Sequence, residues 1–255
     1  MEKEINLFWQ RKDGNFGDEI SPYIVQKLSG KKVKFFNTPS PTKVGYMAVG
    51  SILHHLGIGM KWCEVWGSGL MSQNNKLTHP KKIHAVRGPL TRKFLMEQGI
   101  ECPDVYGDPA LLLPRIFNPE VEKKYKVGIV PHFVDQKNNW VRLQSVREDV
   151  LVINVYEPIE KVITDMLSCR SILSSSLHGL IVADAYEIPS LWVKLSDKVK
   201  GKGFKFRDYL LSVGVEPYEP YSPKIPYQSV DAPLNIIKDY KIEIDLDRLL
   251  NIHPF

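Results

Sequence analysis

Residues 170–193, RSILSSSLHGLIVADAYEIPSLWV, carry the reading on which the fold turns. Ser171 to Ser174 close a short apolar run of strand character, and Ser174, Ser175 and Ser176 supply turn hydroxyls. His178 and Gly179 open a helical stretch, which Pro189 ends before a second apolar run, Leu191 to Val193. Strand, helix and strand within so short a span form the unit of a parallel sheet with crossover helices. The turn before the helix then lies at the carboxyl edge of the sheet, where open α/β sheets receive ligands. The first turn of that helix offers backbone N–H groups without intrahelical partners, together with the positive end of the helix dipole. An imidazole at His178 can hydrogen-bond or protonate a phosphate there. A plain helix cap at His178, with the serines as ordinary turn residues, fits the same local sequence, and the rest of the chain has to decide.

Working outward, short apolar runs alternate with amphipathic or loop segments throughout. Strands are expected at Ile5 to Trp9, Val33 to Phe36, Tyr46 to Ile52, Glu64 to Trp66 and Ile83 to Val86. Helices are expected at Asp18 to Leu28 and Pro89 to Gln98, the latter with proline in its first turn and Gly99 at its end. The pattern restarts with strands at Lys126 to Val130, Leu151 to Val155, Ser171 to Ser174 and Leu191 to Val193. Helices belong at Ile159 to Leu167, Gly179 to Tyr186, Phe206 to Val213 and Asp245 to Leu250. Pro114 to Tyr125, with its prolines and charges, reads as a linker between lobes 1–118 and 119–255. The proline- and tyrosine-rich segment from Pro217 is expected to wrap the surface. The fold class is α/β, two lobes with mostly parallel sheets.

The 255 residues, 43% hydrophobic, are enough for two such lobes. A net charge of +5 suits an anionic small molecule, and the scattered lysines with no zinc-finger or RNA-recognition signature argue against nucleic acid. Three separated cysteines, Cys63, Cys102 and Cys169, speak against a disulfide framework or a zinc site. No signal peptide is read at the N-terminus, and no apolar run approaches the roughly 18 residues that span a bilayer. The expected location is the cytoplasm, compatible with peripheral contact at the inner face of a membrane.

Several motifs fall at strand ends. Asp13 to Glu19, DGNFGDE, follows the first strand; its glycines permit close backbone approach, and Asp18 or Glu19 suits a helix cap, a general base or a hydroxyl acceptor. It is not a dinucleotide fingerprint. Trp66 to Leu70, WGSGL, makes a tight loop around Ser68, either a turn or an anion-binding nest, and lacks the spacing of a nucleophile elbow. Arg87, in AVRGPLTR, offers a planar fork of donors for carboxylate or phosphate, or a plain ion pair. Asp108, in GDPALLLP, is held extended before proline and either orders a turn or faces a ligand. His132 follows the first strand of the second half, the same kind of edge position as His178. The remaining histidines, His54, His55, His79, His84 and His253, lack metal-site spacing and are assigned to structure or solvent.

In order and spacing, Gly-Asn-Phe-Gly-Asp, Gly-Ser-Gly, Arg-Gly-Pro-Leu-Thr, Gly-Asp-Pro-Ala-Leu-Leu-Leu and Ser-Leu-His-Gly resemble the polysaccharide pyruvyl transferase family over most of residues 5 to 215. The resemblance implies a glycosyltransferase-B-like architecture, two Rossmann-like lobes facing a cleft, with the acceptor on the first lobe, Arg87 facing the cleft, and phosphoenolpyruvate on the second. It implies transfer of the pyruvyl group of phosphoenolpyruvate to two hydroxyls of a sugar in a surface polysaccharide or its lipid-linked precursor, with release of phosphate. Phosphoenolpyruvate is then a donor substrate, and neither a resident cofactor nor a metal is expected. Carried over by motif, Arg87 and His178 are the leading donor contacts, with His178 and Asp18 as acid and base and Asp108 as a further contact. Asn15, Gly17, Ser68, His132, Ser175, Ser176, Leu177 and Gly179 complete the candidate binding set. Many members have arginine where this chain has Ser176; among Lys202, Lys205 and Arg207, Lys205 is the first candidate to supply the missing cation. Two other readings stand beside this one. A sugar-nucleotide glycosyltransferase would hold a ribose with Asp184 or Glu187, and a non-catalytic anion- or sugar-binding protein would serve polysaccharide assembly.

Overall fold

The computed structural model describes residues 4–11, 14–55, 61–73, 76–237 and 240–255; Asp13 of the first glycine motif lies outside them. The first half forms a five-stranded parallel sheet with the order β2-β1-β3-β4-β5, from β1 (Glu4–Phe8), β2 (Lys32–Phe35), β3 (Gly45–Met47), β4 (Cys63–Trp66) and β5 (Lys82–Ala85). Helix α1 (Phe16–Ser29) follows β1 and α2 (Pro89–Glu97) follows β5. The second half forms a four-stranded parallel sheet, β7-β6-β8-β9, from β6 (Val127–Val130), β7 (Val150–Val152), β8 (Ile172–Ser174) and β9 (Ser190–Trp192). Its helices are α3 (Asn139–Gln144), α4 (Ile159–Leu167) and α5 (Leu177–Ala185). Every residue of β6, β8 and β9 is buried, the mark of a parallel strand covered on both faces.

Both sheets reverse direction at one strand. The chain runs from β1 to β2 on one side and then to β3 on the other, and likewise from β6 to β7 and then to β8. The loops leaving β1 and β6 therefore sit at topological switch points, which open a crevice at the carboxyl edge of a parallel sheet.

The strand expected over Tyr46 to Ile52 ends at Met47. Beyond it Gly50 takes a left-handed φ of 116°, and the chain continues as a buried loop to Ser51. The apolar run after Asp108 forms a 3-10 helix, Pro109–Arg115, whose Ala110, Leu111, Leu112 and Leu113 are fully or nearly fully buried. Helix α5 packs on it, and all but the last residue of α5 are buried.

Residues 118–124 carry no helix or strand, yet the two halves share one core, in which Trp66, Leu111, Val130 and Ile181 belong to a single cluster. The amide of Phe16 donates to the carbonyl of Val155 across the halves (2.7 Å). The chain after β9 then crosses back. Helix α6 (Phe204–Ser212) packs on α2, α7 (Asp231–Leu234) lies beyond it, and α8 (Leu246–Asn251) packs on the 3-10 helix. Trp66 Nε1 donates to the carbonyl of Leu249 (2.9 Å), and Phe255 packs edge-on against Trp66 and Tyr46. Residues 217–229, none of them buried, run over the surface as expected, and the end of the chain is then built into the first half through the buried Leu249. No helix of the described residues is long and apolar enough to cross a membrane.

Candidate functional site

A cavity of about 640 Å³ opens where the two switch points meet. Its wall takes Asn15, Gly17 and Asp18 from the β1 loop and α1, His132 from the β6 loop, Ser176, Leu177 and His178 from the start of α5, and Lys205 from the first turn of α6. Three helix N-termini thus face one space, each contributing the positive end of its dipole.

At the start of α1, Asn15 caps the helix. Its Oδ1 accepts from the amide of Gly17 (3.1 Å), while its Nδ2 donates to Asp18 Oδ2 (2.7 Å). The carboxylate of Asp18 is thereby fixed at the rim. Gly17 makes room for the catalytic candidate, since a Cβ on it would lie 2.4 Å from His178 Nδ1. The imidazole of His178 is consequently wedged against the α1 backbone, 9% exposed. Its Nε2 points away from the cavity lip toward Asp108 Oδ2, 3.7 Å off; neither atom has a hydrogen-bond partner among the described residues. Asp108 is fully buried, and its other oxygen caps the 3-10 helix by accepting from the amide of Ala110 (3.0 Å). Asp108 therefore stands behind His178, placed to orient the ring, rather than on the cavity wall.

His132 also reaches the cavity, and burial together with the nearby Lys205 and His178 pushes its pKa down to about 3. It is a neutral imidazole whose Nδ1 accepts from the amide of Val134, so it offers a hydrogen-bond donor and not a cation. Lys205 is 6% exposed and is pushed down to about 8 by burial and by Arg87, with Asp18 acting in the opposite direction.

Four other sequence candidates sit elsewhere. Arg87 does not face the cleft: it is fully buried behind the wall. Its Nε donates to Asp208 Oδ2 (3.1 Å), Nη1 to Ser51 Oγ (2.6 Å) and Nη2 to the carbonyl of Leu70 (2.7 Å), and Nη2 lies 3.0 Å from Asp208. Asp208 also accepts from the amide and hydroxyl of Thr91 (2.9 and 2.6 Å). Gly88 lies so close that a Cβ would meet the Asp208 carbonyl at 2.0 Å. The Arg-Gly-Pro-Leu-Thr motif is thus a clamp on α6. Asp208 stands three residues after Lys205, on the same helix face, so the clamp also sets where Lys205 points. Ser68 is fully buried, its hydroxyl donating to the carbonyl of Ala48, so it braces the loop beneath the cavity. Ser175 accepts from the amide of His132 (2.9 Å) and donates to the buried Asp135 (2.9 Å), which ties the β6 and β8 loops together; it borders an adjoining pocket of about 390 Å³. Gly179 packs on Ser174, whose Oγ would lie 2.2 Å from a Cβ there, so its role is close helix-to-strand approach.

His54 and His55, set aside in the sequence for want of metal spacing, line the opposite wall with their rings 3.9 Å apart. Burial lowers the pKa of both. Nothing local in the sequence marks them, since the wall they join is built by distant segments. Asp184 is buried and accepts from Tyr209 (2.6 Å) and Tyr240 (2.9 Å), and Glu187 is exposed at the turn after α5. Neither lies on the cavity wall, so the carboxylate a nucleotide-sugar reading calls for is not supplied by either of them.

The fold and site define an α/β protein of two Rossmann-like sheets with an anion-receptive cavity between their switch points. A sequence model described as polysaccharide pyruvyl transferase matches residues 65–197. The chain is 32% identical to "Uncharacterized protein L143" of Acanthamoeba polyphaga mimivirus over 221 residues, 84% of this chain and 76% of that one. It is 27% identical to "Succinoglycan biosynthesis protein ExoV" of Rhizobium meliloti (strain 1021) over 220 residues, 82% of this chain and 64%, just under two thirds, of ExoV. The chain belongs to the polysaccharide pyruvyl transferase family.

Proposed function

We propose that the protein transfers the pyruvyl group of phosphoenolpyruvate to two hydroxyls of one sugar in a surface polysaccharide or its lipid-linked precursor, releasing phosphate. Family membership and the likeness to a succinoglycan biosynthesis protein support the class of reaction. The observation that carries it is the buried imidazole of His178, wedged on Gly17, backed by Asp108 and opening on a cavity that also holds Lys205 and Asp18.

The chemistry needs an acid, a base and cations. Phosphoenolpyruvate bears charge on both phosphate and carboxylate, which helix N-termini and Lys205 are suited to receive. A proton delivered to the methylene carbon makes it a methyl group and leaves C2 electrophilic. One sugar hydroxyl bonds to C2 as Asp18 takes its proton. Phosphate departs from C2 with the C–O bonding pair, and the second hydroxyl bonds to C2 to close the ketal, its proton leaving on the phosphate. His178 is the acid in this scheme, and Asp108 holds its ring.

The acceptor is assigned to the first lobe and the donor to the second, in a glycosyltransferase-B-like arrangement. The donor's place in central metabolism puts the reaction in the cytoplasm, with peripheral contact at the membrane's inner face if the acceptor is lipid-linked. The test is phosphate release from phosphoenolpyruvate across a panel of aryl and lipid-linked glycosides. Acceptor-dependent release that His178→Ala lowers by about 10²–10⁴-fold, with the melting temperature nearly unchanged, is the expected result. Near-wild-type release in that variant removes His178 from the mechanism.

A further inference from the structure

Lys205 is a buried cation with no anionic partner among the described residues. It is 6% exposed and lines the cavity; its ammonium lies 5.5 Å from the centre of the Phe206 ring, and no carboxylate, carbonyl or hydroxyl of the described residues lies within hydrogen-bond or ion-pair distance of it. Arg87, which acts on it as a like charge, is itself paired with Asp208, and Asp18 acts on it through space. A buried ammonium without a partner is costly, and a fold retains one where a ligand's charge completes it.

The backbone around it has the same polarity. The chain reaches α6 through Lys200, Gly201, Lys202 and Gly203, and the last three have φ of 91°, 46° and 78°. Lys202 is one of two non-glycine residues of the described chain in that left-handed region. Residues 200–203 form a tight turn, and α6, nine residues long, has no side-chain cap at Gly203. Gly201 lies against the first half, since a Cβ on it would meet the Met71 carbonyl at 2.2 Å, so this turn roofs the cavity from both sides.

We propose that the turn at residues 200–203 and the first turn of α6 form a phosphate subsite with Lys205 as its charged ligand, so that the phosphoryl end of the donor sits under this roof. The inference rests on the donor assigned above and adds which end of that donor goes where. It also gives Asp208, Arg87 and Thr91 a purpose, since their clamp fixes the helix that carries Lys205.

The experiment is calorimetric titration of the full chain with inorganic phosphate, phosphoenolpyruvate and pyruvate, on the wild type, Lys205→Met and Lys205→Arg, with melting temperatures taken without ligand. Lys205→Met is expected to weaken phosphate about tenfold or more, to leave pyruvate nearly unchanged, and to melt at or above the wild-type temperature because an unpaired buried charge is gone. Lys205→Arg should restore part of the phosphate affinity. Phosphate affinity in Lys205→Met equal to that of the wild type overturns the subsite, and if phosphoenolpyruvate is still turned over, the donor assignment survives. A wild type that takes up phosphate through Lys205 but neither binds nor consumes phosphoenolpyruvate upholds the subsite and removes that donor. A wild type that binds no phosphate at millimolar concentration overturns the subsite.

Discussion

Replacing Arg87 by alanine separates a residue that binds substrate from one that holds the fold. In the structure the guanidinium is enclosed, with Asp208 equally buried beside it and Thr91 as the carboxylate's other donor. Removing the cation leaves the buried Asp208 carboxyl without its ion-pair partner, and breaking one side of a buried pair costs about 3–5 kcal/mol. For a chain of this size each kcal/mol lowers the melting temperature by about 2–4 °C, so Arg87→Ala should melt roughly 6–20 °C lower. Thermal melts and urea titrations of Arg87→Ala, Asp208→Leu and the double variant Arg87→Met/Asp208→Leu read this directly. The double variant should recover most of the loss, because an apolar pair leaves no orphaned charge. An Arg87→Ala protein that melts within about 2 °C of the wild type while losing donor binding would refute the clamp and return Arg87 to the substrate.

Gly17→Ala places a methyl 2.4 Å from His178 Nδ1, which forces the ring to move by about 1 Å; turnover should fall about a hundredfold with little change in melting temperature, measured by acceptor-dependent phosphate release. Asp184 is held up to about 6 by burial, against the hydrogen bonds from Tyr209 and Tyr240. Its folded-state pKa lies above its unfolded value, so the stability it contributes below about pH 4 is lost as pH rises to about 6, a swing of roughly 3 kcal/mol. Asp184→Asn should therefore gain on the wild type across that window in urea midpoints taken from acid to neutral pH, and a constant difference would contradict it. Leu249→Ala, although only six residues from the chain end, should cost about 2–5 kcal/mol in the same assay because that side chain is fully buried.

The alternation of short apolar runs with helical segments was enough to place every strand of both sheets, with only the end of β3 more than three residues out, since each run must bury itself between crossover helices whatever surrounds it. The strand-end motifs likewise pointed to the edge where the cavity lies, and Asn15, Gly17, Asp18, His132, Ser176, Leu177, His178 and Lys205 do meet there. What failed to read was the direction a side chain takes once distant segments pack. Arg87 and Asp208 stand 121 residues apart, and nothing local to either tells that the arginine turns inward to a helix and not outward to a ligand. His54 and His55 looked idle for the same reason: the wall they complete is made by other segments.

Sequence alone thus determined the two parallel sheets, the strand-end loops that carry the site and the family, because periodicity and loop chemistry are properties of neighbouring residues. Only the tertiary structure decided which of the cations is neutralised and which is left open. That choice depends on what burial brings into contact, and here it neutralised Arg87 against Asp208 while leaving Lys205 facing the cavity.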